Sequence, residues 1–294
     1  MNIVFFHTLA AVIRHGSFAA AASEVNLTAS AVGLQIKQLE NYLGQPLFDR
    51  SARSVKPTPF AHEVMATVQD TLHALDGLRS RTNTTVSGHL RLGVIESAQI
   101  SLLPRAMLAL RSMAPLLELQ CIRGVSKFLL DELKAGRIDV AVLVRPHTGG
   151  SSRLHWMPLF SERFVLVTPP RVAGGTPREL LARHDWIRLD RSATGGRIAA
   201  SYVEKLVPGK RCLLELPGTD AIVAMVSAGL GVSVIPSVRA EMRAIYDINE
   251  VSLGSKSPTR QIVMVCRPAD IDDRRIKAVH QSFQSASQSL STAI

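Results

Sequence analysis

The side chains best suited to chemistry in this chain cluster between Ser17 and Lys56, and the chemistry they suit is recognition. Ser30, Leu34, Lys37 and Asn41 recur three and four residues apart, so a helix would carry them on one face. That face offers a hydroxyl, an apolar tip and an ammonium, with Ala29 and Gly33 adding no polar group. Thr28 is a good N-cap, which leaves the helix N-terminus free to face an anion. Ser17 is placed to cap a shorter helix just upstream. Arg50, Arg53 and Lys56 follow as cations. Hydroxyls, an ammonium, arginines and a free helix N-terminus suit phosphates and the edges of bases in double-stranded DNA.

Positioning such a face needs a second, apolar stripe. Val32, Ile36, Leu39 and Leu43 supply it, and Gly44 is a natural stop. The upstream helix has its own stripe in Phe18, Ala21, Ala22 and Val25. Asn26-Leu27 leaves room only for a sharp turn, so the pair reads as helix-turn-helix. A first helix over 3–14 would turn Phe6, Leu9, Ala10 and Ile13 inward. Gln45 to Arg50, then Arg53, Val55 and Lys56, read as a basic two-stranded wing.

The run GSFAAAASEVNLTASAVGLQIKQLENYLGQPLFDR, followed by VKPTP, resembles the DNA-binding domain of LysR-type transcriptional regulators. The resemblance covers nearly all of the first sixty residues and implies a winged helix-turn-helix that docks in the major groove. Ala29, Gly33 and Leu34 depart from the family's usual residues there (Gln or Pro, Ser, and a polar or basic residue). These three positions alter base reading more than docking.

The chain has 294 residues, a net charge of +10 and 46% hydrophobic residues, a globular composition with a leaning toward acidic partners. The charge is not on the DNA reader: residues 1–89 carry only +1 and the remainder +9. Cys121, Cys212 and Cys266 are far apart, lack metal-ligand spacing and read as reduced core cysteines. The apolar IVFFHTLAAVI has no Lys or Arg before it and is consumed by the first helix, so it does not read as an export signal. No run approaches the ~18 apolar residues of a membrane span. The expectation is a cytoplasmic protein with no membrane partner.

Thr58 and Pro59 open a linker helix to about Arg81. Val64, Val68, Leu72, Leu75 and Leu78 form a narrow seam that suits pairing with a second copy. Residues 82–88 read as a hinge. Beyond it the grammar alternates strand and helix: strands at Leu90–Ile95, Leu117–Ile122 and Ile138–Val144, helices at Pro104–Met113 and Phe128–Ala135. A second region has strands at Phe164–Thr168, Cys212–Leu216, Gly231–Pro236 and Gln261–Cys266, a helix at Thr219–Ala228 and a terminal helix. The runs LRLGVIESAQISLLP and AGLGVSVIP again resemble the LysR-type effector domain, which implies two lobes like a periplasmic binding protein. The expected fold is therefore α/β, with an all-α winged helix-turn-helix at 1–58, linker helix and hinge at 59–88, and a two-lobed effector domain at 89–294. Lobe I would hold 89–161 and 266–294, lobe II 162–265.

Ligands of open α/β sheets bind beyond the C-terminal ends of strands. Candidates there are Ser97 and Ser101 after the first strand, Val125 and Ser126 after the second, and Thr194, Arg197 and Thr219 at helix starts. Plain capping accounts for several of these equally well. Gly229-Leu230-Gly231 is a poor nucleotide loop, because it lacks a third glycine and follows a helix. The sequence holds no HExxH, GxSxG or phosphate-binding loop, so no catalytic constellation, metal or cofactor is expected. The reading is a transcriptional regulator tuned by a small-molecule effector, dimeric through the linker helix; the resemblance implies a tetramer and an imperfectly palindromic operator. The rivals are a bilobal α/β binding protein or enzyme, and an effector-independent DNA-binding protein.

Overall fold

The computed structural model describes residues 2–49, 55–80, 86–146, 153–172 and 174–291. The chain divides into two compact units, Met1–Thr84 and Thr85–Ile294.

The first unit opens with α1 (Val4–His15), α2 (Phe18–Glu24) and α3 (Ala29–Leu43). Ser17 caps α2 by accepting from the Ala20 amide at 3.4 Å, and Thr28 caps α3 by accepting from the Ala31 amide at 3.2 Å. Asn26 takes a positive φ of 54° in the turn between them. Gly44 closes α3 at φ 73°, a left-handed geometry that glycine adopts without a Cβ penalty. Strands β1 (Phe48–Asp49) and β2 (Lys56–Pro57) pair antiparallel as the wing. Then α4 (Pro59–Ser80) begins, with the Ala61 amide donating to Thr58 Oγ1 at 3.2 Å.

Val32, Ile36 and Leu39 are fully buried in the core of this unit with Leu9, Ala11, Val12 and Ala21. The inner face of α1 differs from the sequence expectation. Thr8, Leu9, Ala11 and Val12 are buried; Phe6 and Ile13 are half-buried and pack against the same core as expected, and Ala10 is half-buried. Contacts to α2, α3 and α4 bury more of α1 than the single expected stripe. The α4 seam is also used differently. Val64 packs into this core rather than standing free for a partner, Leu72 is buried, and Leu75 remains 38% exposed. The side chain of Leu78 and residues Arg50 and Arg53 lie outside the described set, as does most of the expected hinge.

The second unit starts with β3 (Ser87–Val94), α5 (Glu96–Ser101), α6 (Leu103–Met113), β4 (Leu116–Arg123), α7 (Ser126–Lys134) and β5 (Val140–Val144). These strands run parallel, with β3 between β4 and β5. A long strand, β6 (His155–Thr168), leads into the second lobe. There follow α8 (Pro177–Arg183), β7 (Trp186–Leu189), α9 (Thr194–Leu206), β8 (Cys212–Leu216), α10 (Thr219–Ser227), β9 (Ser233–Pro236), α11 (Ala240–Ile245) and β10 (Asn249–Ser252). The chain returns through β11 (Thr259–Cys266) and ends in α12 (Arg274–Ser291).

Seven strands run in the order β10-β6-β11-β5-β3-β4, with β9 also on β6. The sheet is mixed, because β11 is antiparallel to both β5 and β6. The sequence pattern marks a strand only at Phe164–Thr168. In the fold β6 begins nine residues earlier and joins the lobes together with β11. Ile262 to Cys266 lie in the first lobe's core with Leu92, Val94 and Val142, so the return to that lobe comes before the expected residue 266. In the second lobe β6 alternates: Phe164 and Leu166 face the cluster with Val203 on α9, and Val167 faces the cluster with Ile222 and Val226 on α10. Strands β7 and β8 pair in parallel, and Trp186 bridges to Val232. Of the three cysteines expected in cores, only Cys266 is buried. Cys212 is half-buried on β8 and Cys121 is exposed on β4, since each of these strands lies at a sheet edge.

Candidate functional site

In the first unit, α3 presents its polar face uncovered. Leu34 is 58% exposed, and Ser30, Lys37 and Asn41 are exposed. Ala29, in the first turn, is exposed too. Space around Gly33 is open: a Cβ there would meet nothing within 4 Å. The first turn of α3 carries no acidic residue, so its free amides keep their positive end available. Ser17 is occupied by its cap. Lys56, on β2, is exposed opposite Asp49.

Two side chains that the sequence does not single out hold this face in place. Glu40 accepts from the amides of Leu47 at 2.8 Å and Phe48 at 3.4 Å, tying the end of α3 to the wing. Thr8 donates to Gln35 at 2.6 Å, tying α1 to the middle of α3. Neither has a local sequence signature, because each partner is many residues away.

In the second unit, a cavity of about 30 Å³ lies where the lobes meet. Ser97 and Ser101 of α5 wall one side; Thr219, Asp220 and Val223 of α10 and Arg239 beside α11 wall the other. Glu162 and Arg260 reach in from the connecting strands. A volume of ~30 Å³ holds about two waters, so the cleft is closed by its own side chains. Ser97, Ser101 and Thr219 thus line one cavity. The other candidates are elsewhere. Ser126 is buried and accepts from the Val144 amide at 3.2 Å, a structural bond at the sheet end. Val125, beside it, is 39% exposed and outside the cavity wall. Thr194 and Arg197 line a separate, open groove with Pro146, Tyr202, Lys205 and Lys256.

The strongest polar groups in the cavity are ones the sequence pattern does not reveal. Glu162 and Arg260 are cross-strand partners on β6 and β11. Arg260 Nε donates to Glu162 Oε2 at 2.5 Å and its Nη2 donates to Ser97 Oγ at 3.2 Å. Arg239 Nη2 donates to both Asp220 oxygens, at 2.7 and 2.8 Å. Glu162 and Arg260 each lie in a polar stretch of their strand, Ser161-Glu162-Arg163 on β6 and Thr259-Arg260-Gln261 on β11, so the local pattern does not single them out.

At the start of α9, Gly195 and Gly196 allow close packing. A Cβ at Gly196 would fall 1.9 Å from the Asp190 carbonyl oxygen, and one at Gly195 would fall 3.2 Å from Arg260 Nη1. The loop before α9 is pinned by Ser192, whose amide and hydroxyl donate to Asp190 and hold its carboxyl below the usual range.

Residues 5–62 match the profile of the bacterial regulatory helix-turn-helix protein, lysR family, and residues 83–288 match the LysR substrate binding domain. The chain belongs to the LysR family. Among its relatives, a "Probable hydrogen peroxide-inducible genes activator" of Streptomyces viridosporus is 28% identical over 90% of this chain and 88% of its own length. The transcriptional regulator IlvY of Escherichia coli is 26% identical over 86% of this chain and 84% of its own. A cysteine variant of full-length OxyR from Pseudomonas aeruginosa superposes with a TM-score of 0.76 at 22% identity, covering 97% of this chain and 95% of that one. LysR-type proteins are transcriptional regulators, so the helix-turn-helix unit is a DNA-binding domain and the second unit is an effector-binding domain. Among the described residues, no helix is long and apolar enough to cross a membrane.

Proposed function

We propose that this LysR-type regulator docks α3 in the major groove and senses a small molecule in the cleft bounded by Ser97, Ser101 and Thr219. The observation that carries the reading is the uncovered polar face of α3 on one unit together with a charged, side-chain-filled cleft on the other. On DNA, Ser30 and Lys37 reach base edges, Leu34 meets a thymine methyl, and Ser30, Arg50, Arg53 and Lys56 contact phosphates. The face has few groups able to read bases, so phosphate contacts carry much of the affinity.

Self-association supports binding to two half-sites. Leu75 leaves apolar surface on α4, in the sequence row that also holds Val68 and Leu78. Separately, β4 and β8 are edge strands, with Leu116 and Leu213 exposed on them at 61% and 56%. Two distinct apolar surfaces suit a dimer of dimers. We place the protein in the cytoplasm, where a DNA reader works.

The effector is read by shape and charge in this proposal, not by thiol oxidation, even though some relatives are named for hydrogen peroxide. None of the three cysteines lines the cavity. Burial pushes the Cys266 thiol up to about 12, and partial desolvation raises that of Cys121, which disfavours the reactive thiolate in both.

The test is a thermal-shift screen of small metabolites on the full chain, followed by operator titration with each hit. A hit that alters operator binding by the wild type, and fails with Ser101→Leu, supports the cleft as the sensor. Hits that act equally on Ser101→Leu would move the sensor elsewhere.

A further inference from the structure

The connecting strands carry a charged pair whose position goes beyond packing. Arg260 is 6% exposed, and its side chain sits between three parts of the domain. It pairs with Glu162 on the neighbouring strand, donates to Ser97 in the first lobe, and lies beside Gly195 in the second. A side chain on Gly195 would crowd its Nη1, so the missing Cβ makes room for the guanidinium. Glu162 takes only the Nε donor, and among the described residues no carboxylate pairs with Nη1. The cavity therefore holds a buried cation with an open edge, already neutralised from one side. The other two charged groups of the wall, Asp220 and Arg239, neutralise each other.

We infer that Glu162 is a built-in counter-ion for Arg260, and that the cleft is selective for a small zwitterion carrying a carboxylate and an ammonium. This rests on the reading of the cleft as the effector site. Charge balance in a poorly solvated space sets the selectivity. A simple anion on the open edge of Arg260 would leave two carboxylates sharing one guanidinium, with Glu162 under-compensated. A simple cation on Glu162 would leave Arg260 in the converse position. A zwitterion inserts into the pair: its carboxylate takes the Nη1–Nη2 edge bidentately with Ser97 alongside, and its ammonium takes Glu162. Each buried charge keeps a partner. Because Arg260 touches both lobes from the strands that join them, exchanging its partner biases how the lobes close, which gives the ligand the differential affinity that switching requires.

The experiment uses the full chain at fixed pH and ionic strength, with glycine, acetate and methylammonium as probes and thermal melting as readout. Glycine is expected to stabilise the wild type, and acetate and methylammonium are not. Glu162→Gln removes the competing charge, so acetate should act on it at concentrations about tenfold below any that act on the wild type. Arg260→Gln should lose both responses; Arg260→Lys, which keeps the charge without the fork, replaces it if that variant does not melt cooperatively. Acetate matching glycine on the wild type, or no gain of acetate response in Glu162→Gln, overturns the inference. A wild type that ignores glycine overturns the zwitterion assignment. A probe response that survives in Ser101→Leu arises elsewhere and counts against the inference alone. An effector whose action on operator binding is lost in Ser101→Leu upholds the cleft reading whatever the probes do.

Discussion

Replacing Gly33 with alanine separates the two demands on α3. Gly33 is an interior helical residue, and the space where a Cβ would stand is empty to 4 Å. The added methyl meets no neighbour, so the intrinsic helix preference of alanine is realised in full, about 0.8–1 kcal/mol. In hydrogen exchange, protection of the α1–α3 amides that open with this unit should rise about fivefold. The same methyl lies one turn in from Ser30 and next to Leu34, on the face assigned to DNA. It should hold the helix back from the groove floor and weaken operator binding even as the unit becomes more stable. Gly33→Ser should give a smaller gain in protection and change which sequences are preferred. Exchange and fluorescence titration with operator DNA on the same samples decide the matter. Unchanged protection would refute the argument from open space. Unchanged affinity and preference would refute the placement of Gly33 against DNA.

Leu75→Glu puts a charge on the exposed part of the α4 row without disturbing the buried Leu72; sedimentation should show a smaller oligomer, and an unchanged one would remove α4 from the interface. Gly196→Ala forces a methyl onto the Asp190 carbonyl at 1.9 Å and should destabilise the second lobe by about 1–3 kcal/mol or more in urea unfolding, with the effector response lost before DNA binding. Asp270 supplies a pH dependence: burial pushes its carboxyl up to about 6, against the pull of Arg267. Because the folded chain holds this proton more tightly than the unfolded one, the stabilisation is present below the ordinary carboxylate range and is lost as pH rises through about 6. Between about pH 4.5 and 7.5 the wild type should lose on the order of 1–3 kcal/mol relative to Asp270→Asn, as measured by urea midpoints; a flat or rising difference would contradict the sign.

The parts of this molecule legible in the sequence are those fixed by local spacing. Val32, Ile36 and Leu39 specify the buried face of α3 because one helix period sets it, and Thr28 and Gly44 mark its ends by their own backbone chemistry. The face of α1 is less legible, since three neighbouring helices and not one decide which residues are covered. The first half of β6 is hidden by Pro158 and by Ser161-Glu162-Arg163, which break the apolar alternation. The four-residue β7 carries an arginine, and no strand is marked there by the sequence pattern. Ser97, Ser101 and Thr219 can be found because topology places helix starts at strand ends. Glu162 and Arg260 cannot, because their pairing spans 98 residues and only the register of β6 on β11 makes them neighbours.

The central claim, that α3 and its wing read DNA with modest base discrimination on a strong phosphate background, is tested most directly by one titration. The full chain is bound to operator DNA and to a scrambled duplex across a range of salt concentrations, as wild type, Lys37→Ala and Lys56→Ala. Both duplexes should show a steep linear fall of log affinity with log salt, with the operator favoured. Lys37→Ala should narrow the gap between the duplexes, and Lys56→Ala should weaken both alike and reduce the slope by about one. Equal wild-type affinity for the two duplexes, with Lys37→Ala indistinguishable from wild type, would contradict the account.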